Sequence, residues 1–159
     1  MSAPLAYHIT FGTYGTRLHG DERGTVDRRH NTPGNPVLGS TESWQNKEQQ
    51  LLKNLQIVLT HEQCTFTETS LPDICRRGDW TYHIAAAQED HVHVLLESNR
   101  EGKAVRRWLK SWLSEALSHR WPLGERQRWW AVGGSVKYVW DADYFDRVFD
   151  YIQRQRTTP

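Results

Sequence analysis

Apolar and polar residues along the chain follow two periods, and the switches between them divide it into elements. Near the start, Leu5, Tyr7, Ile9 and Phe11 alternate with smaller or polar residues, which predicts a strand over 5–13. A stretch at 15–40 rich in Gly, Pro, Asp and Asn predicts a long loop. From Ser43 to about Gln63 the residues Leu51, Leu52, Leu55, Val58 and Leu59 recur at helical spacing and predict a helix. Trp80 to Ala87 and His91 to Glu97 read as two strands joined by Gln88-Glu89-Asp90, hence a hairpin. Ser98-Asn99-Arg100-Glu101 fits a capping box opening a helix that runs to about Arg120. Its buried stripe is Ala104, Val105, Trp108, Leu109, Trp112, Leu113, Ala116 and Leu117. Residues 129–140 predict a fourth strand broken by Gly133-Gly134. Residues 142–156 predict a last helix, with Phe145, Val148, Phe149 and Ile152 towards the core.

This order of elements predicts an α+β, ferredoxin-like sandwich: a four-stranded, mainly antiparallel sheet with two helices on one face, plus the C-terminal helix. A length of 159 residues suits one domain around one core. No run is long and apolar enough to span a bilayer, and no charged-then-apolar leader opens the chain, so a cytoplasmic protein is expected. Cys64 and Cys75 form neither a disulfide framework nor a zinc motif and are expected as reduced thiols.

The net charge of +1 hides an asymmetry. Residues 1–99 carry 8 basic and 12 acidic side chains, whereas 100–159 carry 12 basic and 7 acidic. The second half thus has the sign of a nucleic-acid face. Within it Lys103, Arg106, Arg107 and Lys110 follow helical spacing away from the apolar stripe. They form either an ordinary solvated face or a phosphate-contacting surface for DNA. Arg17, Arg23, Arg28 and Arg29 of the long loop would add to the latter. Trp108 and Trp112 are expected in the core; Trp121, Trp129 and Trp130 flank a Pro/Gly loop where one of them could stack on an unpaired base.

The candidate chemistry lies in two short segments. In a strand, residues two apart share a face, so His91 and His93 stand side by side opposite Val92, Val94 and Leu96. Such a pair is either half-exposed structure or two imidazole ligands for one divalent cation, which would need a third protein donor. On the last helix Tyr151 and Gln155 lie one turn apart at the border of the apolar stripe. Packed on the sheet, that helix would bring a phenol and an amide to the histidines.

With His91-Val92-His93, Tyr151-Ile-Gln-Arg-Gln155 and the opening Tyr7-His8-Ile9-Thr10-Phe11-Gly12-Thr13, the chain resembles the single-tyrosine HUH transposases of bacterial insertion sequences and their REP-associated relatives. The resemblance covers about Tyr7 to Gln155, and the loop at 15–40 departs from the compact members. It implies one HUH-type transposase domain over 1–159, acting in DNA transposition in the bacterial cytoplasm at the nucleoid. It implies Tyr151 as nucleophile, His91, His93 and Gln155 as ligands of Mg2+ or Mn2+, and single-stranded DNA bearing hairpins as partner. Cleavage would leave the enzyme on the 5′ end as a phosphotyrosine, which another 3′-hydroxyl can reverse. Insertion-sequence members suggest a homodimer with shared active sites, and the REP-associated branch suggests a monomer. Tyr144, two turns before Tyr151, is the fallback nucleophile. The alternative reading is a catalytically inactive, domesticated DNA-hairpin-binding protein. A nucleotide hydrolase of the histidine-triad kind would need a third histidine where Leu95 stands.

Overall fold

The computed structural model describes residues 3–16 and 55–159. The predicted loop beyond Thr16, its four arginines and the stretch to residue 54 lie outside the described residues. The elements are β1 (Ala6–Gly12), α1 (His61–Arg77), β2 (Thr81–Ala87), β3 (His91–Glu97), α2 (Gly102–Arg120), β4 (Ser135–Val139) and α3 (Ala142–Gln155). The sheet order is β2-β3-β1-β4, with every neighbouring pair antiparallel. That is the ferredoxin-like arrangement the order of elements predicts.

Both faces of the sheet are covered. Tyr7, Ile9 and Phe11 of β1 and Val92, Val94 and Leu96 of β3 form one core with Leu71, Ile74 and Cys75 of α1 and Val105, Leu109, Leu113 and Leu117 of α2. On the other face, Ala6, Ile84, Ala86, Leu95 and Val139 meet Val148 and Ile152 of α3. Fully burying an aliphatic side chain contributes roughly 1.5–3 kcal/mol, so these two residues anchor α3 on the histidine-bearing face. Asp141 caps that helix by accepting from the Tyr144 amide at 2.8 Å.

Several expectations need correction. The helix predicted over 43–63 is not present at 56–60. There Ile57 and Leu59 are buried while Val58 is exposed, and their amides donate to the carbonyls of Tyr14 and Glu89. The apolar residues alternate because this segment is tied at Ile57 to Tyr14, just past β1, and at Leu59 to Glu89 in the turn between β2 and β3. Helix α1 starts later, behind a capping box in which Thr60 and Gln63 bond reciprocally. The predicted box at 98–101 does not form: Ser98 Oγ accepts from Arg100 N, and α2 opens at Gly102 behind Glu101, whose side chain makes no cap bond. Gly102 lies so near β4 that a Cβ would come within 2.5 Å of Val136 Cγ1, so the first helical position has no room for a side chain. Finally, Trp108 is exposed rather than core. Val105, Leu109, Leu113 and Leu117 fill the centre of the α2 stripe, leaving Trp108 on its flank against Trp112, which stacks on Trp80.

The fourth strand is shorter than predicted. Trp130 makes only an isolated bridge to Thr13, and the chain then turns through Gly133 and Gly134, both at positive φ. A Cβ on Gly134 would meet Thr10 O at 2.5 Å, so this turn needs glycine for space as well as for φ.

Candidate active site

His91 and His93 project from β3 to the face covered by α3, beside Leu95. Their rings stand edge to face, 4.9 Å between centroids. Each has its Nδ1 engaged away from the other. His91 Nδ1 lies 2.6 Å from Asp90 Oδ1. His93 Nδ1 lies 3.0 Å from His8 Nε2 and 3.0 Å from Thr10 Oγ1, both on the adjacent strand β1. The Nε2 atoms remain: His91 Nε2 is 3.5 Å from Gln155 Oε1, and His93 Nε2 is buried with no hydrogen-bond partner.

Helix α3 supplies the other two groups. The Tyr151 ring stands edge to face with His93, 5.5 Å between centroids, while 44% of the residue remains exposed. Gln155, one turn further on, is held through its backbone, whose carbonyl accepts from Gln88 Nε2 at 3.3 Å. The four residues singled out by spacing therefore meet in one place, within one chain. Tyr144 packs at the edge of the apolar cluster under α3.

Burial sets the protonation of the imidazoles. The pKa of His93 is lowered to about 3, first by burial and then by the neighbouring His8, His91 and Lys137. That of His8 is lowered to about 4 by burial and by Lys137. Both are neutral at physiological pH, the form that binds metals. A buried, unpartnered imidazole nitrogen is costly unless something approaches it. His91 Nε2, 3.5 Å from Gln155 Oε1, and the unpartnered Nε2 of the neighbouring His93 ring are the nitrogens that could take a divalent cation. The engaged Nδ1 atoms would hold both rings in the tautomer that offers Nε2. Among the described residues no three His, Cys, Asp or Glu side chains gather for a metal, so a cation here would need a donor of another type, and the Gln155 amide is the one within reach of His91.

The basic residues of α2 are placed elsewhere. That helix covers the opposite face of the sheet from the histidines. Arg106 donates to Gly134 O at 3.0 Å, and Lys110 to Ala131 O at 2.7 Å and Gly133 O at 2.8 Å. These two cations hold the glycine turn before β4, whereas Lys103 and Arg107 are exposed. Of the tryptophans flanking the Pro/Gly loop, Trp129 and Trp130 are buried and Trp121 stacks edge-on to Phe66.

Sequence reasoning missed His8, Thr10 and Lys137. The signal was available: even-numbered positions of β1 share the face of odd-numbered positions of β3, and the register sets Thr10 against His93. Lys137 pairs with His8 across β1 and β4 and places an exposed positive charge beside the imidazoles.

A solved structure from Deinococcus radiodurans R1, of a protein provisionally assigned as a transposase, is similar to this chain. The similarity spans 98% of this chain and 94% of that one, with a TM-score of 0.56 and 16% identity. The likeness establishes the fold. The sheet, its order and the placement of the helices are thus those of a known architecture. No protein-family model matches the sequence, and no curated protein matches it. Among the described residues no helix is long and apolar enough to cross a membrane.

Proposed function

We propose that the chain is a single-tyrosine HUH transposase that nicks and rejoins single-stranded DNA through a covalent 5′-phosphotyrosine. The observation that carries this is the Tyr151 ring against His93 of the same chain, with Gln155 Oε1 facing His91 Nε2. A half-exposed phenol beside neutral, oriented imidazoles is what in-line attack on a backbone phosphate requires.

Tyr151 Oη forms the new bond to phosphorus, and the bond from phosphorus to the 3′ oxygen breaks. The upstream strand leaves with a 3′-hydroxyl, and the downstream strand stays on Tyr151 through its 5′ phosphate. Attack by another 3′-hydroxyl reverses the exchange and frees the phenol. His91, His93 and Gln155 are the residues that would hold Mg2+ or Mn2+. When bound, such a cation supplies positive charge to the scissile phosphate. The Asp90 carboxylate, which only accepts, favours the His91 tautomer that leaves Nε2 free to ligate, and His8 with Thr10 would do the same for His93 by accepting from its Nδ1. Lys137 adds a screened positive charge near the strand. The closeness of Tyr151 to its own His93 supports a site complete in one chain rather than one shared between two.

The test is incubation of the protein with 3′-labelled, hairpin-bearing single strands and Mn2+, followed by a denaturing gel and mass mapping. A covalent protein–DNA species mapped to Tyr151, lost in Tyr151→Phe while DNA binding persists, is the expected result. An adduct that survives in Tyr151→Phe moves the role to Tyr144. Binding without any adduct in the wild-type protein would instead favour the inactive DNA-binding alternative.

A further inference from the structure

Glu68 is 1% exposed, in the middle of α1, and the chemistry above does not use it. Its carboxylate accepts four hydrogen bonds. Oε2 takes the amides of Ala87 at 2.8 Å and Thr157 at 2.7 Å. Oε1 takes the amide of Thr158 at 2.8 Å and its hydroxyl at 2.6 Å. Three of the four donors belong to the two residues that follow Arg156, just beyond the tyrosine helix. The same tail is tied to β2. Thr157 Oγ1 donates to Ala87 O at 2.7 Å, Arg156 Nη1 to Ala85 O at 3.0 Å, and Arg156 Nη2 to Thr158 Oγ1 at 2.6 Å. The Thr158 hydroxyl thus relays Arg156 to the carboxylate.

We infer that Glu68 is a positioning residue, a buried bracket that anchors the end of α3 to its own sheet and so sets Tyr151 and Gln155 against His91 and His93. The geometry is directional. Gln155 is the last residue of α3, and the bracketed amides are two and three residues beyond it. Without the bracket, α3 keeps Val148 and Ile152, and the tail keeps only the bonds of Arg156 and Thr157 to β2 and of Gln155 to Gln88. A carboxylate is required because each oxygen faces two donors. An amide in its place presents an NH2 to one of those pairs whichever way it is turned. The bracket holds the tail to the same chain that carries the histidines, so it also disfavours lending the helix to a second copy.

This inference rests on the proposed function, and its test separates the two. Hydrogen exchange followed by mass spectrometry on full-length wild type, Glu68→Gln and Thr158→Val reads the anchoring without any reaction. In both variants exchange over 142–156 is expected to speed up by about tenfold or more while β1 and β3 stay protected. The rate of covalent adduct formation is expected to fall about tenfold or more, with KM for the DNA strand unchanged, because the nucleophile rather than the binding surface is displaced. Unchanged exchange over 142–156 overturns the anchoring. Faster exchange there with a wild-type adduct rate overturns the positioning role. Equal loss of protection across the sheet in Glu68→Gln makes Glu68 a plain core residue, unless Thr158→Val, which exchanges the hydroxyl for a methyl group of similar size, still loosens 142–156 alone. A wild-type protein that forms no adduct overturns the functional reading and the positioning of a nucleophile with it, while the exchange result still decides the anchoring.

Discussion

Replacing His8 by Phe and Thr10 by Val in one chain strips His93 Nδ1 of both its partners while keeping nearly the same volume under α3. In the native arrangement the two contacts are each 3.0 Å long and, in the tautomer that ligation requires, a proton on His93 Nδ1 finds an acceptor in His8 Nε2 or Thr10 Oγ1. That leaves the lone pair on Nε2, the atom beside His91 Nε2 and Gln155 Oε1. With both partners gone nothing selects this tautomer, and the proton can move to Nε2 and close the site. Each lost hydrogen bond is worth about 0.5–1.5 kcal/mol. Partners of metal-bound imidazoles typically account for about 10–100-fold in metal affinity, or about 1.4–2.7 kcal/mol, so the two estimates agree. Titration with Mn2+, following the free ion by electron paramagnetic resonance, measures this on the protein alone. The double variant is expected to bind about 10–100-fold more weakly, and each single variant to lie between it and wild type. Thermal melting checks that the fold survives. Wild-type Mn2+ affinity in a correctly folded double variant would refute the claim that β1 tunes His93.

Two further outcomes follow from the placement of the side chains. Because Tyr151 stands against His93 of its own chain, mixing Tyr151→Phe with His93→Ala is expected to give no more adduct than either variant alone; restored activity on mixing would mean that helices are exchanged between copies. Substituting Lys103 and Arg107 with Ala is expected to reduce the salt dependence of single-strand binding by about 1.4 in logarithmic slope if both contact phosphates, whereas Arg106→Ala, which removes a bond to Gly134 O, is expected to lower the melting temperature instead; an unchanged slope returns the exposed face of α2 to solvent.

Most of the fold was legible because its signals are local. The alternation at Tyr7, Ile9 and Phe11, the Val/Leu face of β3 and the Phe145-Val148-Phe149-Ile152 stripe each depend on the period of one element. The break at 56–60 in the helix predicted over 43–63 shows the limit. Leu51, Leu52 and Leu55 suggested a helix that would carry on through Val58 and Leu59, yet 57–59 alternates between buried and exposed. Helix α1 is polar, rich in Thr and Glu, and contains Pro72, so its apolar signal is weak. Its Thr60-x-x-Gln63 capping box was the better marker and was overlooked. Trp108 failed for a different reason. Spacing places it near the stripe, but only packing against Trp112 and Trp80 decides that it stops at the rim.

The site divides in the same way, between what one element can announce and what only the sheet can bring together. His91 with His93 and Tyr151 with Gln155 are each visible because both members share an element. That the two pairs meet depends on α3 crossing the face opposite α1 and α2, which its apolar stripe allowed but did not dictate. His8 and Thr10 required the β1–β3 register, and Glu68 required the path of the tail beyond α3. The residues that hold the candidate chemistry in place are thus the less legible ones, because each acts on a partner far away in sequence. Their removal is also the more discriminating experiment. Loss of Tyr151 or His93 would silence any mechanism that uses them. Loss of His8 with Thr10 would silence only one that needs His93 Nε2 unprotonated, and loss of Glu68 only one that needs α3 fixed at its end.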